Sequence, residues 1–152
     1  IPSGNIATSS LAAAATGKIL QVVSATDTTQ RTTTSTSFVT ASNTLTVDIT
    51  PSATSSKILI LASSMIYISL AYKWLETTIF RDGSNILSSN GASGIYGGAD
   101  NAGSVSINYL DSPSSTSELT YDVRLLTNSA SATAYLNFAG STGSIIALEI
   151  GA

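Results

Sequence analysis

The sequence predicts an all-β antiparallel fold, a sandwich or barrel of about ten short strands. Three observations predict it. Apolar and polar residues alternate with a period of two along most of the chain, turn residues punctuate these runs, and no long segment sustains a helical period. Residues 11–15 could make one helical turn, which is marginal in water by itself. Residues 65–75 tolerate a helix, but Ile66, Tyr67, Ile68, Tyr72 and Trp74 favour strand.

Residues 1–16 show no such alternation and read as an extended N-terminal arm, with the globular domain over 17–152. The alanine-rich stretch within 9–16 lacks both a basic segment and a long apolar one, which argues against a signal peptide. The chain opens with Ile1 rather than Met, as a processed product or part of something longer would. The threonine-rich run 32–37 reads as a polar edge strand. Leu45, Val47 and Ile49 alternate with Thr44, Thr46, Asp48 and Thr50, and Pro51 stops the run. Such a pattern buries one face and leaves the other in water.

Residues 57–69 differ. Ile58, Ile60, Ile66 and Ile68 share one parity, while Leu59, Leu61, Met65 and Tyr67 occupy the other. Asp82-Gly83 then supplies the strongest hairpin signal in the chain. Residues 88–103, with glycines at 91, 94, 97, 98 and 103, form the longest irregular stretch. A loop of that length is usually functional or mobile. It is expected at one end of the sandwich, with Tyr96 near its tip.

Val105, Ile107 and Tyr109 alternate with Ser106 and Asn108 up to the turn Asp111-Ser112-Pro113. Leu119, Tyr121, Val123 and Leu125 alternate with Thr120, Asp122 and Arg124. Ala134, Leu136 and Phe138 alternate with Tyr135 and Asn137 before residues 140–143 turn the chain. The last strand sets Ile145 and Ala147 against Ile146, Leu148 and Ile150. Two-sided strands need both faces covered, either by a loop of the same chain or by a neighbouring subunit. On the second account Ile146, Leu148 and Ile150 are subunit-interface candidates, and Leu148→Asp is expected to disrupt folding or assembly.

Composition narrows the function. The chain is 43% hydrophobic but only 10% charged, and serine and threonine make up nearly a third of it. Ordinary domains are about a quarter charged. Two readings stand: a protein living outside cells, or a subunit whose surface is consumed by neighbours, since interface cores are depleted in charge. The six Lys and Arg are scattered and the net charge is −3, which argues against nucleic-acid binding. No apolar run approaches the roughly 20 residues of a membrane-spanning helix.

There is no histidine and no cysteine, which removes imidazole bases, thiol nucleophiles, disulfides and most zinc ligand sets. Neither a Gly-x-Ser-x-Gly elbow nor a phosphate-binding glycine loop occurs, and Lys57 beside Ser55 and Ser56 reads as a strand-edge charge. No two of the scattered carboxylates stand out as a glycosidase pair. A non-enzymatic protein without cofactor or metal is the expectation. Asp100-Asn101 could offer oxygen ligands to calcium, although one acid beside one amide is also ordinary turn chemistry. As contacts for a receptor or a neighbouring subunit, Tyr72, Trp74, Tyr96, Asp100 and Asn101 are the candidates. Flat rings with polar tips are enriched at such surfaces, and Trp74 alone could equally be core.

The pieces Gly17-Lys18-Ile19-Leu20-Gln21-Val22-Val23-Ser24, residues 38–49 ending in Thr50-Pro51-Ser52, and Ser56-Lys57-Ile58-Leu59-Ile60 occur in that order. Phe80-Arg81-Asp82-Gly83, Tyr109-Leu110-Asp111-Ser112-Pro113 and Leu148-Glu149-Ile150-Gly151-Ala152 follow. Together they resemble a module recurrent in bacteriophage virion surface proteins, over all of the chain except the arm. The resemblance implies an antiparallel jelly-roll β-sandwich of about eight to ten strands, assembled as a homotrimer on the surface of a phage particle. It implies other virion proteins as partners and, for a fibre tip, a host surface glycan. A tail-fibre or receptor-binding role is expected ahead of capsid decoration. A free secreted carbohydrate-binding module is the alternative from another class. The family carries no catalytic or binding residues over to this chain.

Overall fold

The computed structural model describes residues 18–98 and 101–151. Eleven strands follow one another: β1 (Ile19–Asp27), β2 (Arg31–Thr33), β3 (Thr46–Ile49), β4 (Lys57–Ile68), β5 (Trp74–Arg81), β6 (Ser84–Asn85), β7 (Ser93–Tyr96), β8 (Ala102–Asp111), β9 (Leu119–Thr127), β10 (Ala134–Leu136) and β11 (Gly143–Ile150). The arm assigned to residues 1–16 lies outside the described residues.

All pairings are antiparallel, and they are nested. β1 pairs with β11, β3 with β9, β4 with β8, and β5 with β7, so the ends of the chain meet first and the middle last. A long hairpin rolled up in this way is a jelly roll. The first sheet runs β1-β11-β4-β8, and the second runs β3-β9-β5-β7. β4 is long enough to hold β11 along residues 57–63 and then β10 along residues 66–68. β8 covers residues 58–67 of the same strand, so β10 and β11 must share the opposite edge. β2 pairs with β10, and β6 shares the edge of β5 with β7.

The inward parities close the core between the sheets. Ile58, Ile60, Ile66 and Ile68 of β4 face Leu75 and Ile79 of β5, with Leu45, Ile49, Tyr121, Leu125, Leu136 and Ile145 completing the interior. Most buried polar groups are paired, as burial requires; among the described residues Asn101 Oδ1 and Ser141 Oγ are the buried side-chain atoms without a partner. Arg81 Nη1 and Tyr121 Oη both donate to Asp111 Oδ2 at 2.6 Å, which ties β5 and β9 of one sheet to β8 of the other. Glu149 accepts from Ser52 N at 2.7 Å, Ser52 Oγ at 2.6 Å, Ser56 Oγ at 2.7 Å and Gln21 Nε2 at 2.8 Å. The turn after β3 is thereby fixed to β11.

Asp82-Gly83 does turn the β5–β6 hairpin, with φ of 49° and 78°. Positive φ at both positions is what a type I′ turn demands. Three expectations need correction. Residues 88–103 are not wholly irregular, because β7 pairs with β5 inside them and β8 begins at Ala102. The alternation after Leu136 fails: Asn137 takes a left-handed φ of 54° and turns inward. Its amide donates to Thr29 O, and its Oδ1 and backbone N–H both meet Ser64 Oγ at 3.0 Å. The polar edge strand is only three residues long, Arg31–Thr33, and the rest of 32–37 is loop.

Candidate functional site

Two surfaces carry side chains that the fold itself does not use. The first lies where β4 hands over to β5. Strand β5 turns Trp74 and Glu76 outward and Leu75 and Thr77 inward, by simple alternation. The register sets Trp74 opposite Tyr96 and Glu76 opposite Gly94 of β7. The Trp74 and Tyr96 rings lie 4.6 Å apart, and Tyr72 approaches Tyr96 at 6.3 Å. All three remain open to water, Tyr72 at 75%, Trp74 at 48% and Tyr96 at 49%. Trp74 is thus not a core residue of its own chain. Tyr96 is exposed as expected, but at the end of a strand rather than at a loop tip, which corrects its expected position. Tyr72 stands in the left-handed region at φ 62°, held by its N–H to Gly97 O at 2.9 Å. Such a conformation is strained for a bulky residue and is typical of contact sites.

Beside Trp74 a shallow groove runs between β5 and the chain entering β7. Glu76 lines it from β5, and Asn90, Gly91, Ser93 and Gly94 line it from the facing segment. Among the described residues the Glu76 carboxylate has neither a hydrogen-bond donor nor a cation, and burial pushes it above the ordinary glutamate range. The close approach demands glycine: at φ 79°, Gly91 sits where a methyl group would press on the Glu76 side chain. At Gly94 a methyl would run into the backbone of Leu75. Sequence reasoning missed Glu76, because a lone carboxylate in a strand carries no signal until its neighbour across the sheet is known. Asp100 lies outside the described residues. Asn101 is near but not on the platform; its backbone O accepts from Ile68 N, and its Oδ1 is buried beside Gly97.

The second surface is the outer face of the first sheet. Ile146, Leu148 and Ile150 all point outward and are half-buried in the single chain, while Ile145, Ala147 and Glu149 point into the core. Register aligns Val22, Leu148, Leu59 and Leu110 in one row across four strands. Val22 is 55% exposed and Leu110 48%. The next row reads Ser24, Ile146, Leu61 and Asn108, and the one after it Thr26, Ser144, Ser63 and Ser106. The apolar band therefore grades into hydroxyls across the face. At the far end Tyr67 stacks on Phe138 at 4.4 Å, with Tyr135 edge-on at 5.3 Å, an outward aromatic cluster that covers β4 locally. Nothing in the sequence signals this cluster, since Phe138 reads as an inward residue of a continuing strand.

No group of three or more acidic side chains is gathered among the described residues. No helix of the described residues is long and apolar enough to cross a membrane.

No protein-family model matches this chain, and no curated protein does. Among solved structures, a chain of the infectious bursal disease virus Gx strain matches with a TM-score of 0.50 at 14% identity, over 87% of this chain and 37% of that one. A chain of the T13 particle of the same virus matches with a TM-score of 0.50 at 13% identity, over 90% of this chain and 36% of that one. This chain thus spans little more than a third of the viral chains it matches. The chain shares its fold, a two-sheet antiparallel sandwich, with chains of a virus particle that are otherwise unlike it in sequence.

Proposed function

We propose that this chain is a non-enzymatic structural module of a phage virion, assembled as a homotrimer and serving a tail fibre or other receptor-binding apparatus. The observation that carries the reading is the four-strand row Val22, Leu148, Leu59 and Leu110 on the outer face of the first sheet. Single chains seldom leave a contiguous apolar band of this kind in water, and packing that face against a second copy removes it. The low charge of the chain fits the same picture, because charge is depleted where subunits meet. The aromatic platform stays free at the end of the other sheet, where a receptor can reach it. The ordered sequence motifs support a phage origin, and the virus-particle fold of the structural neighbours supports a virion role.

One observation favours a second reading. The neighbours come from an icosahedral particle, so a subunit decorating or cementing a phage head suits the fold as well. Sedimentation tests assembly: a stable trimer at micromolar concentration is expected, and a well-folded monomer refutes it. An image of the parent particle that locates this density on the tail or on the head decides between the two roles.

A further inference from the structure

The groove beside Trp74 has the chemistry of a saccharide site. We propose that Trp74, Tyr96 and Glu76, with Asn90 on the facing segment, bind a neutral oligosaccharide. The inference deepens the receptor-contact reading above, and rests on it only for the platform being left free in the assembled protein.

Sugars present two kinds of surface. Their C–H faces are apolar and pack on aromatic rings, while their hydroxyl rims need partners that accept and donate hydrogen bonds. The structure supplies both side by side. Trp74 and Tyr96 offer rings at 48% and 49% exposure, centroids 4.6 Å apart, without filling a core. Two residues along the same face of β5, Glu76 lines the groove. Its carboxylate accepts no hydrogen bond among the described residues and is half-buried, so it lacks part of the hydration that would compete with a ligand. A carboxylate can accept from two adjacent hydroxyls at once, and hydrogen bonds to a charged acceptor are the stronger kind.

Asn90 also lines the groove, and an asparagine amide can both accept and donate hydrogen bonds. Gly91 and Gly94 let the facing segment approach the backbone and side chain of β5 closely, which sets it directly beside Glu76. Tyr72, tilted against Tyr96 at 6.3 Å and fully outside the groove, extends the stacking surface beyond one sugar unit. An oligosaccharide therefore fits better than a monosaccharide. An anionic sugar is disfavoured, because its charge would face Glu76 across the groove.

The test uses the intact protein in its native oligomeric form. A panel of neutral hexose and N-acetylhexosamine oligosaccharides is screened, with sialylated counterparts as controls, and hits are measured by calorimetry. Binding to at least one neutral member is expected. Trp74→Ala and Glu76→Gln should each weaken it about tenfold or more, the loss associated with a stacked ring or a charge-assisted hydrogen bond. The oligomer and the melting curve should not move. Glu76→Gln, nearly isosteric, guards against misreading a Trp74→Ala variant that folds poorly. No binding across the panel at millimolar sugar overturns the proposal, as does binding indifferent to both substitutions. A change of oligomeric state on Trp74→Ala also overturns it, by making the platform a subunit contact. A monomer that still binds sugar defeats the trimer reading and leaves this inference standing.

Discussion

Glu149 shows how one buried carboxylate can set the acid limit of the fold. It is 1% exposed, on the inward parity of β11. Burial alone would raise its pKa, but the donors from Ser52, Ser56 and Gln21 outweigh burial and hold it at about 2. Among the described residues no cation takes part. A carboxylate with a depressed native pKa adds stability above its unfolded value, and that stability is lost as pH falls through the native value. Glu149 therefore stabilises fully above about pH 4.5, and progressively less between there and about pH 2. Glu149→Gln should cost about 2–4 kcal/mol at neutral pH, since two hydroxyls and two N–H groups lose a charged acceptor. Thermal melts from pH 7 to pH 2 check it: the variant should show a shallower acid dependence than the wild type. Asp27, also depressed in pKa although burial opposes this, keeps its Arg31, Thr29 and Thr44 donors, so some acid dependence remains in the variant.

At the scale of elements, the tie between the sheets is the most exposed to a single substitution. Tyr121 is fully buried, and burial, reinforced by its bond to Asp111, pushes the phenol well above its usual range, so it stays a donor at any ordinary pH. Tyr121→Phe keeps the ring packing and removes one of the two donors to Asp111. Denaturant unfolding should show a loss of about 1–2 kcal/mol, whereas Asp111→Ala should lose more, by leaving Arg81 and Tyr121 both unpaired. Neither partner was legible beforehand, because Arg81, Asp111 and Tyr121 come from three strands whose adjacency only the rolled topology creates. Strand parity, by contrast, was legible where one face alone is apolar. Alternation in Leu45–Val47–Ile49 is a local property of the backbone, and it chose the predicted inward face. Strands β4 and β11 are apolar on both parities, and the structure adds that the isoleucines of β4 and Ile145 and Ala147 of β11 face the core. The pattern failed at Asn137, where a side chain with its own hydrogen-bond partners in the interior overrode the period of two. At the candidate site, Tyr72, Trp74 and Tyr96 were legible as contact candidates by residue type, with Trp74 equally readable as core. Their convergence was not, since it depends on the register of β5 against β7.

For the whole molecule the decisive contrast lies within β11, where adjacent residues meet opposite surroundings. Ala147 is fully buried between the sheets, while Leu148 stands on the outer face between Val22 and Leu59. Before the structure, Leu148→Asp could be expected to damage folding or assembly alike. The outward placement separates the two. In a single chain a carboxylate at the exposed Leu110 meets water, and one at the half-buried Leu148 lies on the outer face rather than in the core. In an assembly either would bury a charge without a partner, at a cost of several kcal/mol. Ala147→Asp places the same charge in the core. We expect Leu148→Asp and Leu110→Asp to keep the wild-type far-ultraviolet spectrum and a cooperative melt while sedimenting as monomers, and Ala147→Asp to be unfolded. Each large aliphatic in the row contributes roughly 1.5–3 kcal/mol when fully covered, so losing the row should shift the association equilibrium by several orders of magnitude. The wild type should sediment as a trimer under the same conditions. If Leu148→Asp and Leu110→Asp remain folded and associate as the wild type does, the outer face of the first sheet is not the contact, and the low charge of the chain needs another cause.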